Sequence, residues 1–71
     1  MNDVQKCKRN GWKVGTRLVG DEGYGPIVIE ITAIGRERIL AIEISHNGEP
    51  YPDLVEMDWT LSKRKWRKVR Q

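Results

Sequence analysis

The residues most suggestive of chemistry lie near the C-terminus. Lys63-Arg64-Lys65-Trp66-Arg67-Lys68-Val69-Arg70 sets six cations around one tryptophan in eight positions. Cations neutralise phosphates and flat rings stack on unpaired bases, so this is the residue mix of a nucleic-acid-binding face. Trp12, between Arg9 and Lys13, has a similar setting, and Arg17 extends the basic stretch. A plainer reading uses the same residues: Trp66 packs over the open end of a core while the cations are solvated.

Other candidate chemistry is thinner. Tyr24, in a glycine-rich stretch, and Tyr51, between Pro50 and Pro52, are loop aromatics of the kind that anchor interfaces, or that fold back over a core. Gly20-Asp21-Glu22-Gly23-Tyr24-Gly25-Pro26 is rich in glycine but lacks the Lys-Ser/Thr ending and following helix of a P-loop. His46 and Cys7 are two ligand types far apart, short of the four that a zinc site needs. Ser45, His46 and Asp53 share one connection, with no rigid scaffold to give them triad geometry. Cys7 reads as incidental. The residues therefore point to binding without catalysis, cofactor or metal.

Charge is strongly segregated beneath the formal net value of +3. Residues 1–20 hold five cations and one acid, residues 21–58 two arginines and nine acids, and residues 59–71 six cations and no acid. An acidic middle argues against a protein that simply coats nucleic acid. Its acids could instead mimic phosphates and meet a basic groove on a partner.

The elements that must position these groups are mostly strands. Residues 1–11 show no clear hydrophobic period and read as a flexible basic arm ending in the Asn10-Gly11 turn signal. From Val14 the chain looks extended, with Val14, Thr16 and Leu18 on one face. Ile27 to Ile34 is β-branched and alternating, placing Ile27, Ile29, Ile31 and Ala33 on one face. Gly35-Arg36-Glu37-Arg38 turns into a second strand, Ile39 to Ile44, with Leu40, Ile42 and Ile44 inside, and the two form an antiparallel hairpin. Residues 45–56, with Asn47-Gly48 and two prolines, read as a long connection rather than a central strand. Met57 to Leu61 alternates, Ser62 to Lys65 fits one helical turn, and Trp66 to Val69 is extended again.

With 71 residues the chain has room for one core, and such a domain buries only about 60% of its unfolded surface. Five short strands with one helical turn before the last describe an all-β, SH3-like barrel over residues 12–71, with an OB-fold as second choice. Its expected core is Val14, Leu18, Ile27, Ile29, Ile31, Leu40, Ile42, Ile44, Leu61 and Val69. In such a barrel the first and last strands are neighbours, which would bring both basic ends together. One cysteine, no hydrophobic leader and no apolar run near the roughly 20 residues of a membrane span suggest a cytoplasmic protein and no membrane partner.

Several strings carry a resemblance across residues 11–69. They are Gly11-Trp12-Lys13-Val14-Gly15, Gly20 to Pro26, Ile31-Thr32-Ala33-Ile34-Gly35, Ile44-Ser45-His46-Asn47-Gly48, Trp59-Thr60-Leu61-Ser62 and Trp66-Arg67-Lys68-Val69. Together they resemble small SH3-like barrel proteins of bacteriophage and prophage genomes. The resemblance implies a phage accessory or anti-defence protein that engages a host or defence-system complex, and carries over no catalytic residue. The Ala-Leu-Tyr-Asp-Tyr run of peptide-binding SH3 domains is absent, and Trp59-Thr60 stands where those have a tryptophan pair. Three functions follow as expectations: docking to a host macromolecular complex, nucleic-acid binding through the C-terminal basic face, and sequestration of a nucleotide messenger between the glycine-rich loop and Tyr51.

Overall fold

Asn2 and Gln5 cap each other's backbone N–H groups at the start of a helix, α1 (Asp3–Asn10), so residues taken as an arm are ordered. They belong to a computed structural model that describes residues 2–21, 23, 25–50, 54–61 and 65–69. The reciprocal Asn2/Gln5 capping box starts α1, and Gly11 at φ 72° ends it, with Trp12 N–H donating to Cys7 O at 2.8 Å. The helix is not a flexible arm, because Val4 and Cys7, three residues apart, are buried in the core. The Asn10-Gly11 turn signal is its C-terminal cap.

The remainder is antiparallel sheet: β1 (Arg17–Asp21), β2 (Pro26–Ile34), β3 (Ile39–His46), β4 (Glu49–Pro50), β5 (Glu56–Trp59) and β6 (Arg67–Lys68). The order is β4-β3-β2-β1-β6, with β5 also pairing β3. The expected β2–β3 hairpin and the pairing of first and last strands are both present. The connection after β3 contributes a strand that the sequence reading lacked. Asn47 (φ 54°) and Gly48 (φ 81°) make a two-residue turn with both residues left-handed, which pairs His46 with Glu49. Pro50 is tolerated there because β4 is an edge. Among the described residues β5 and β6 do not pair, so the sheet does not close through hydrogen bonds. Of the helical turn expected over Ser62 to Lys65, Ser62, Lys63 and Arg64 lie outside the described residues.

Two irregularities reset the core. Ile31 faces Ala41 but Ala33 faces Leu40, so Thr32 is an extra residue in β2. Val28 faces Ser45 but Ile29 faces Glu43, so Ile44 is extra in β3. Each bulge shifts the alternation by one. Beyond Thr32, Ile34 packs against the core instead of Ala33, and its partner Ile39 is fully buried. Ile39 and Ala41 therefore take the inner face of β3, leaving Leu40 exposed and Ile42 and Ile44 half-buried, contrary to expectation. Val14 is 58% exposed because residues 13–16 form a turn, in which Thr16 N–H donates to Lys13 O and its hydroxyl accepts from Lys13 N–H. Val69 is half-buried. Leu18, Ile27, Ile29, Ile31 and Leu61 are core residues as read, joined by Val4, Cys7, Trp12 and Trp66.

The helix covers the gap between β5 and β6. Leu61, fully buried, donates its N–H to Asp3 Oδ1 at 3.0 Å, and its C=O accepts from Lys6 Nζ at 2.8 Å. Trp59 at the end of β5 meets Trp66 at the entry to β6 edge-to-face, ring centroids 5.9 Å apart. Side chains and one short helix thus join what the ladder leaves apart. Asp3→Ala should cost about 1–3 kcal/mol, the loss of a charged acceptor to a buried N–H. Asp3→Asn, which keeps an acceptor, should cost less. The readouts are the urea midpoint and the reactivity of Cys7 toward a thiol reagent. Equal, negligible effects of both substitutions would remove this contact from the account of stability.

Candidate functional site

Because β6 adds to the free edge of β1, the two basic ends of the chain converge. Leu18 faces Lys68, Val19 faces Arg67, and Val69 N–H donates to Arg17 O at 2.9 Å. Three adjoining hollows follow this strand pair. One of about 680 Å³ lies between the Lys13–Arg17 turn and Lys68–Val69. A second, of about 370 Å³, lies over Val19, Val28 and Arg67–Val69. The third, of about 770 Å³, runs from Val19 and Gly20 to Lys65, Trp66 and Arg67, with Lys6 on its wall. Although Arg67, opposite Val19, and Lys68, opposite Leu18, point to different faces of the sheet, neighbouring hollows share lining residues and adjoin along the β1–β6 edge, hereafter the trough.

Its charge is positive. Lys13, Lys65, Arg67 and Lys68 are exposed, and no hydrogen bond or ion pair among the described residues engages their side-chain charges. Arg17 differs: its Nε meets Glu30 Oε1 at 3.0 Å across β1 and β2. That pair is partly solvated and contributes little to stability, but it offsets one cation. Glu43, Glu49, Glu56 and Asp58 lie toward the other end of the strand order, while Asp21 lines the third hollow. Glu56 accepts from the Thr32 hydroxyl at 2.6 Å, and Asp58 pairs with Arg38 at 2.7 Å, tying β5 to the sheet.

The tryptophans do not sit as stacking platforms. Trp12 and Trp66 are 8% and 6% exposed, so neither offers a free ring face to a base. Trp66 lies directly over β1: a Cβ on Gly20 would stand 2.6 Å from its Cε3. Among the described residues, the buried indole Nε1 atoms of Trp59 and Trp66 find no hydrogen-bond partner. Lys63, Arg64, Tyr24, Tyr51 and Asp53 lie outside the described residues. The sequence reading missed Lys6, Val19, Gly20 and Pro26 as wall residues of the trough. The Asn2-x-x-Gln5 pair was the available signal for the helix that positions Lys6.

Cys7 is a core residue. Burial pushes its thiol above the ordinary range, the Asp3 carboxylate pushes it further, and Lys6 opposes both. Such a thiol is a poor nucleophile. Among the described residues no three His, Cys, Asp or Glu side chains come together as metal ligands. No described helix is long and apolar enough to cross a membrane.

Fold and site together define a small antiparallel β protein with one docked helix and a cationic edge. The chain belongs to the family described as Domain of unknown function (DUF7241), whose model matches residues 1–71. No curated protein and no solved structure matches it.

Two outcomes are expected. Gly20→Ala should cost about 1–3 kcal/mol through overpacking against Trp66, and Trp66→Leu should absorb most of that cost in a double-mutant cycle followed by urea denaturation. An additive cycle would mean that the two residues do not press on each other. The neutral Cys7 thiol stabilises the fold fully below its unfolded pKa, so stability should decline above about pH 8.5. Cys7→Ala should remove that alkaline decline; an unchanged alkaline limb would assign it to other groups.

Proposed function

We propose that this chain is a non-enzymatic binding module that holds the phosphate backbone of a nucleic acid along its β1–β6 edge. The observation that carries this is the row of adjoining hollows along that edge, with four exposed cations that no described residue pairs. With Trp12 and Trp66 buried, contact falls to the cations, which favours recognition of the backbone over recognition of bases. The finer architecture we propose is an SH3-like barrel, closed between β5 and β6 by the Trp59–Trp66 contact and by α1. A second reading, a phage accessory protein that docks on a host or defence complex in the cytoplasm, draws on the opposite end. There Leu54, Val55 and Met57 are 64%, 57% and 54% exposed beside Glu56 and Asp58, an apolar patch with an acidic rim.

Fluorescence anisotropy with labelled single-stranded DNA, duplex DNA and RNA tests the first reading. Four phosphate contacts should weaken binding roughly fifty-fold for single strands and roughly 150-fold for duplex between about 50 and 200 mM salt. Lys65→Ala with Arg67→Ala should reduce the salt slope by roughly two. Absence of binding at the lower salt would overturn it and turn attention to the apolar patch.

A further inference from the structure

The third hollow differs from the other two. Around this cleft of about 770 Å³, Lys65 and Arg67 supply cations from one side and Lys6 from α1 supplies another. Lys6 keeps its bond to Leu61 O, so its charge is held in place. Between them the walls are apolar: Val19 and Gly20 from β1, Pro26 opening β2, and Trp66 behind Gly20. The rim also carries Asp21, whose Oδ1 accepts from Gly23 N–H at 2.7 Å and Gly25 N–H at 3.3 Å. The glycine-rich loop is thereby folded back on its own first residue, and both of its ends line the cleft.

These features select a ligand. A bare phosphate would fill little of this volume, would leave the apolar walls unused and would meet the Asp21 carboxylate. A purely apolar ligand would leave Lys65 and Arg67 unused. A ligand with an anionic head, a flat apolar body and hydroxyl donors uses every wall. Pockets of this size hold such molecules, with a few polar groups fixing the orientation. We propose that the cleft between α1, the β1–β2 hairpin and β6 binds a nucleotide, its phosphate toward Lys65 and Arg67 and its base and sugar toward Val19, Pro26 and Asp21. This rests on the proposed nucleic-acid reading of the edge and deepens it: the cleft is where one nucleotide is held, while Lys13 and Lys68 follow the neighbouring backbone. The nucleotide can be free or the phosphorylated end of a strand; the chemistry recognised is the same.

The experiment measures adenosine monophosphate, adenosine and inorganic phosphate by calorimetry, and 5′-phosphorylated against 5′-hydroxyl single strands, labelled at the 3′ end, by anisotropy. Adenosine monophosphate should bind at least roughly five-fold tighter than either fragment, since it alone satisfies both the cations and the apolar walls. Equal affinity for both strands, with adenosine monophosphate binding alone, would identify the free nucleotide as ligand; a preference for the phosphorylated strand would identify its end. Pro26→Trp, which fills the cleft from a wall that lines neither of the other two hollows and changes no charge, should abolish nucleotide binding and leave the salt-dependent strand binding in place. Pro26→Met is the milder filling, for use if Pro26→Trp does not fold by circular dichroism. Lys13→Ala should do the reverse, weakening the strand and sparing the nucleotide. If inorganic phosphate matches adenosine monophosphate, or if no nucleotide or end preference appears while strands still bind, the cleft is overturned and the cationic edge stands. If no strand binds either, both readings fall.

Discussion

Leu61 is held at three points, and much of the molecule depends on it. Its side chain is fully buried, its N–H is taken by Asp3, and its C=O is taken by Lys6. Both partners lie in the first two turns of α1, so one short helix grips the backbone between β5 and β6. Hydrogen bonds to charged groups contribute about 1.5–3 kcal/mol each, a large share of the thin margin available to a domain of this size. The helix gains from the same contact. Eight residues are too few for a stable isolated helix in water, and docking through Val4 and Cys7 supplies what propensity cannot.

The clamp also organises charge. Because Leu61 is fixed, β6 is delivered to the free edge of β1, and cations far apart in sequence fall along that edge. Opposite-charge contacts inside the sheet, Arg17 with Glu30 and Arg38 with Asp58, are spent on joining strands. Lys13, Lys65, Arg67 and Lys68 are in neither pair and lie along the β1–β6 edge, while Lys8 and Arg9 on α1 and Arg36 in the β2–β3 turn are exposed elsewhere. Sequence counts alone could locate the blocks of charge but not which members are already matched.

Strand existence was legible from alternation and β-branching, and the first-to-last pairing from topology. The bulges at Thr32 and Ile44 were not. Residues 39–44 are apolar on both faces, so alternation could not say whether Ile39 or Leu40 points inward; the register against β2 decides it. The helix was hidden for a related reason: its two buried apolar residues are too few to show a period, and its signature lies in the caps instead. Trp66 had two readings, a stacking ring among cations or a cover for the core, and its burial between exposed Lys65 and Arg67 decides for the second. The glycine that matters to it, Gly20, was read only as part of a loop, although it lies in β1 beneath the ring.

Burying Trp66 has a functional consequence. A ring that stacked on bases would need an exposed face and could adapt to its ligand. Here the ring is fixed by Gly20 on one side and the edge of Trp59 on another, so it serves as a wall. A rigid wall between mobile lysine and arginine side chains divides the work of recognition: shape is set by the core, and charge is supplied by groups that reorient without disturbing it. The same residue that closes the gap between β5 and β6 also shapes the cleft beside it. Changes to the seam must therefore alter the cleft, whereas changes to the edge cations need not alter the fold.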